Sequence, residues 1–127
     1  SGPLLDRIDL HVEVARPATE LLRTGDKNGE SSESVRARVE NAWALQWCRG
    51  GTNNARLKGT DLDAVCGVCD EGWALLERAA EQFNLSARAH QRVLRVSRTI
   101  ADLAGDEKLA PSHIAEALSL RCLDRPM

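Results

Sequence analysis

Residues 86–105, SARAHQRVLRVSRTIADLAG, leave the chain little choice but a helix. Ser86 is a preferred N-cap and Gly105 a preferred helix stop. Between them Val93, Leu94, Val96, Ile100, Leu103 and Ala104 supply an apolar side. Arg88, Arg92, Arg95 and Arg98 recur at steps of four, three and three, which groups them on the other side. A helix divided in this way must bury its apolar side against other elements.

The neighbouring sequence supplies further helices. From Ser32 to Arg49 the positions Val35, Val39, Trp43 and Trp47, with Ala42 beside them, keep a spacing of four, as a packed helix needs, and Gly50-Gly51 ends the run. A short helix is expected over about 60–68, with Thr60 and Asp63 as its capping box. Another runs over 70–83, with Trp73, Leu76, Ala80 and Phe83 on one side and Asp70 and Glu71 at its positive end. A last one starts near Pro111 and presents Ile114, Ala117, Leu118 and Cys122. Residues 31–123 therefore read as an all-α domain, a small bundle of four or five helices.

The first 30 residues differ. IDLHVEV, residues 8–14, alternates apolar and polar like a half-buried strand, yet no second strand is in evidence to pair with it. RTGDKNGESSES, residues 23–34, reads as a loop or linker. Residues 1–30 are expected to be a largely disordered remnant of some other unit.

Several functions are excluded or weakened. The chain of 127 residues suits one domain. A net charge of -2 gives no global electrostatic case for nucleic acid or membrane. There is no apolar run of membrane-spanning length and no signal peptide, so no membrane partner is expected. Four cysteines without a secretory signal read as reduced thiols of a cytoplasmic protein. Cys66-Gly-Val-Cys69 lacks a second pair at zinc-site spacing, so no metal site is expected and plain thiols are the simpler reading. No G-x-x-x-x-G-K-[ST] loop is present, so these residues alone are not a complete nucleotide triphosphatase.

The arginines of residues 86–105 admit two readings. They form a solvated face complemented by acids such as Glu77 and Glu81, or they form an anion site. Arg88 is the best candidate for the second, because it falls in a first helical turn where backbone N–H groups also favour an anion.

Two segments carry a resemblance. SGPLLDRIDLHVEV resembles the end of the ATPase core of magnesium-chelatase-like AAA+ proteins, and LSARAHQRVLRVSRTIADLAGDEKLAPSHIAEALSLR resembles their C-terminal helical lid, both most closely in the ComM/YifB family. GESSESVRARVENAW and Asn54-Ala55-x-Leu57 fit as well, so the likeness runs from residue 1 to about 121. It implies a C-terminal piece of a larger ATPase: residues 1–30 would end the core and 31–123 would be the lid. It also implies roles. Arg7, in the LLDR motif, would be an arginine finger reaching the nucleotide of a neighbouring subunit, and Arg88, in the LSAR motif, would be sensor 2, touching the nucleotide of its own subunit. Arg92, Arg95 and Arg98 would be a further anion or DNA face. The implied parent binds ATP and Mg2+ and forms a ring, a hexamer, that acts on DNA in branch migration and natural transformation. The piece alone would be a monomer without catalysis, its partners being its own core, the neighbouring subunits and DNA. Two alternatives are a lid in a chelatase-type motor acting on a protein, and a helical module binding DNA or protein.

Overall fold

A computed structural model of the chain describes residues 7–16, 18–19 and 29–121. Among these residues the regular structure is entirely helical: α1 (Ser32–Gly50), a 3₁₀ turn (Asn54–Arg56), α2 (Gly59–Cys66), α3 (Asp70–Phe83), α4 (Ala87–Ala104) and α5 (Pro111–Ser119). Cys122 and the other residues after 121 lie outside the described part.

The caps explain most boundaries. Ser31 accepts a hydrogen bond from the Ser34 N–H at 3.1 Å, and Ser86 accepts one from the Ala89 N–H at 3.1 Å. Each satisfies a donor that a helix start leaves without a partner. Gly51, Gly67 and Gly105 end α1, α2 and α4 with φ of 67°, 53° and 76°, a region that costs side-chain-bearing residues strain. The capping box expected at Thr60 does not form. Lys58 is the N-cap instead, its carbonyl taking the Leu62 N–H at 2.7 Å, and this places Thr60 inside the first turn.

α4 is the central helix. It packs against α5, α1, α2 and the 3₁₀ turn, while α3 packs on α5. The core gathers Leu62 and Cys66 of α2, Leu76 of α3, Val93, Leu94 and Ala101 of α4, Leu109, and Ile114 and Ala117 of α5. α3 and α5 meet closely at Gly72: a Cβ there would lie 2.7 Å from Val68 Cγ1 and 3.0 Å from Ile114 Cδ1.

α1 packs differently from its sequence pattern. Its buried positions are Ala42 and Gln46, whereas Val35, Val39, Trp43 and Trp47 remain 39–50 % exposed. The line facing α4 is Ala42, Gln46 and Arg49, because polar groups of α4 and the 3₁₀ turn complement it. The Val/Trp line is left as an open ridge, with Trp43 and Trp47 tilted against each other at 6.1 Å between ring centroids.

Residues 7–16 form neither helix nor strand. Residues 7–11, within the segment expected to be largely disordered, make contacts with the bundle. The His11 N–H donates to the Leu120 carbonyl at 2.6 Å, and Arg121 Nη1 donates to the Ile8 carbonyl at 3.4 Å. Helix ends thus take the backbone groups for which the sequence offers no sheet. The rest of residues 1–30, apart from 12–16, 18–19 and 29–30, lies outside the described residues.

Candidate functional site

The four arginines of α4 lie at the spacing read from the sequence, yet they meet four different surroundings. Arg88 stands in the first turn, exposed, on a helix with no acidic residue in that turn. Among the described residues it makes no ion pair or hydrogen bond. An uncommitted guanidinium beside the positive end of an 18-residue helix is well placed to meet an anion.

One turn further on, Arg92 is half-buried and turned toward the N-terminal segment. Its Nη1 donates to the Arg7 carbonyl at 3.0 Å and pairs with the Asp9 carboxylate. Arg7 is itself exposed. The fold therefore brings the backbone of Arg7 to the same end of α4 that carries Arg88. Nothing in the sequence reading linked Arg92 to Asp9, 83 residues apart.

Arg95 serves the scaffold. Its Nε and Nη2 donate to the Leu57 carbonyl at 3.0 and 2.8 Å, holding the 3₁₀ turn against α4. Arg98 is 1 % exposed and entirely engaged: Nε to Asp102 Oδ1 at 3.1 Å, Nη1 to the Glu107 carbonyl at 3.0 Å and Nη2 to the Asp106 carbonyl at 2.7 Å. Arg92, Arg95 and Arg98 do not form one open face. Among the described residues none of the four arginines pairs with Glu77 or Glu81 either.

Arg98 belongs to a buried polar network centred on Asp102. Both carboxylate oxygens of Asp102 accept from Arg49, at 3.0 and 2.8 Å, and Oδ2 accepts from Asn54 Nδ2 at 2.9 Å. The Asn54 N–H in turn donates to Gln46 Oε1 at 2.9 Å. Burial pushes the Asp102 carboxyl up, but the hydrogen bonds from Arg49 and Asn54 and the charges of Arg98 and Arg49 outweigh it, so it lies below its ordinary value. The network joins α1, the 3₁₀ turn and α4. The spacing Arg98-x-x-x-Asp102 was a sequence signal for part of it.

The cysteines and histidines singled out from the sequence lie in varied surroundings. Cys66 is buried, with its Sγ 3.8 Å from the Leu94 carbonyl, and burial pushes its thiol up to about 11. Cys69 is exposed. Among the described residues no group of three or more His, Cys, Asp or Glu side chains is placed to hold a metal ion. His90 stacks on Trp73 at 5.9 Å. His113 Nδ1 accepts from the Ala110 N–H at 2.9 Å, which leaves its proton on Nε2, 2.9 Å from Asp106. Among the described residues no helix is long and apolar enough to cross a membrane.

The residues that build this bundle match a known family. The model of the C-terminal domain of magnesium chelatase subunit ChlI matches residues 29–121. The chain belongs to this family.

Within it the chain is similar to the competence protein ComM of Haemophilus influenzae, with 43 % identity over 98 % of the chain and 25 % of that protein. It is 39 % identical to YifB of Salmonella typhimurium over 98 % of the chain and 25 % of that protein. It is 37 % identical to the Mycobacterium tuberculosis protein Rv2897c, over 95 % and 24 %. The chain thus spans about a quarter of the length of the curated relatives it matches. It is a magnesium-chelatase-like C-terminal domain of the ComM/YifB type, and this supports its reading as the lid of an AAA+ protein.

Proposed function

We propose that this domain is the nucleotide-responsive lid of a ring-forming, ATP-driven motor that acts on DNA. Arg88 is the sensor that touches the nucleotide of its own subunit, and Arg7 is the finger that reaches the nucleotide of the next. The observation that carries this reading is the contrast on α4: Arg88 is left free in a first turn, while Arg95 and Arg98 are consumed by the scaffold. A guanidinium suits this task because it offers phosphate oxygens two parallel donors and stays charged. As negative charge moves onto the leaving phosphate, a fixed cation close to it lowers the barrier. ATP and Mg2+ are the substrate pair in the full-length protein, and the reading assigns the magnesium ligands to its other parts. DNA as the object of the motor rests on the similarity to a competence protein.

The test uses the full-length protein. Arg7→Ala should lower ATP turnover by about 10³-fold or more, and Arg88→Ala should mainly weaken ATP binding. Mixing Arg7→Ala subunits with subunits unable to bind nucleotide should restore part of the turnover, since each then supplies what the other lacks. Normal turnover by a folded Arg7→Ala protein would overturn the finger assignment.

A further inference from the structure

We infer that Arg92 and Asp9 form a latch through which the helical domain positions Arg7. The inference rests on the finger reading above and names what holds the finger. Four ties fall within five residues of chain. Arg92 grips the Arg7 carbonyl at 3.0 Å and the Asp9 carboxylate, Arg121 reaches the Ile8 carbonyl at 3.4 Å, and the His11 N–H donates to the Leu120 carbonyl at 2.6 Å. One guanidinium thus bridges the backbone of Arg7 and the side chain two residues later. No regular secondary structure fixes residues 7–16, so the course of residues 7–11 depends on side-chain and backbone ties such as these.

The latch stands one turn, about 6 Å along the axis, from Arg88. A single helix therefore carries the arginine that meets its own subunit's nucleotide and the arginine that holds the finger aimed at the next. Any tilt of α4 prompted at Arg88 is passed to Arg7 through Arg92. Arg92 and Asp9 are positioning residues, since their effect on the reaction runs through Arg7.

Position matters steeply in such a site: a misplacement of about 1 Å can cost on the order of 10²-fold in rate. In the full-length protein Asp9→Asn and Arg92→Met should each lower kcat by about 10- to 100-fold with KM for ATP little changed. Arg92→Lys, which keeps the charge opposite Asp9, should recover part of the loss. Either change made in the Arg7→Ala background should cost nothing further, because the group it positions is gone. Asp9 is half exposed, so Asp9→Asn tests the latch even where an Arg92 variant fails to fold. Unchanged kcat in Asp9→Asn and Arg92→Met, with Arg7→Ala inactive, would overturn the latch. So would losses that add to that of Arg7→Ala. Unchanged kcat in Arg7→Ala would instead remove the finger reading.

Discussion

The two ends of α4 begin from the same sequence material and reach opposite states. At the N-terminal end Arg88 is exposed and uncommitted, and Arg92 holds a chain segment by a partly exposed ion pair. At the C-terminal end Arg98 is buried, every donor group it has is directed at an acceptor, and Asp102 receives three side chains. The difference is one of cost. A buried guanidinium without its carboxylate is left as an uncompensated charge, whereas an exposed one falls back on water. The closed end is where α1 and the 3₁₀ turn are fastened. The open end is where the helix is free to meet something outside the domain.

The largest test of this contrast is Asp102→Ala. It strands Arg98 in the interior and should cost about 3–5 kcal/mol of stability, read by urea unfolding. Amide exchange should speed up first in α1, which loses its Arg49 anchor. A cost no greater than that of an exposed position would make the two ends energetically alike.

A smaller effect is expected from acid. The Asp102 carboxyl is held below its ordinary value, so its contribution to stability is complete above about pH 4. It is lost as pH falls through the lowered folded value. Unfolding free energy measured against pH below 4 should therefore fall less steeply for Asp102→Asn than for the wild type. Equal slopes would place the acid-sensitive carboxylates elsewhere.

The smallest change belongs to Arg88→Ala, which should alter stability by no more than about 0.5 kcal/mol, as exposed substitutions do. A larger loss in thermal unfolding would show that Arg88 is structural after all, and the contrast between the ends would collapse.

Much of the helical layout was legible in the sequence. Ser86 and Gly105 bracket α4, Asp70 opens α3, and Pro111 opens α5, because capping chemistry is local. What was not legible depends on partners distant in sequence. At about 100° per residue, Arg98 lies roughly 120° around the helix from Arg92, so a stripe read by steps of three and four drifts off one face. Which of its members is buried was settled by Asp102, Arg49 and the carbonyls of 106 and 107, and only folding brings these together. The same drift made Val35, Val39, Trp43 and Trp47 look like a packed line, when the line turned to α4 is Ala42, Gln46 and Arg49. The site was legible to a different degree. The free Arg88 could be singled out as a first-turn arginine, while the grip of Arg92 on residues 7–9 depends on a contact for which no local pattern codes.

The length of α4 has a mechanical consequence. Its 18 residues make a rod of about 27 Å. Arg88 sits at one tip, and α1 is clamped to the far part through Arg49 and Asp102. A rod that pivots by about 10° at the arginine tip sweeps its other end through roughly 5 Å. Close-packed interiors transmit such a displacement instead of absorbing it. On the lid reading proposed above, α1 would ride on this lever with Val39, Trp43 and Trp47 exposed, so that a small adjustment around a phosphate met by Arg88 would become a larger stroke at an apolar ridge carried by the far part of the helix.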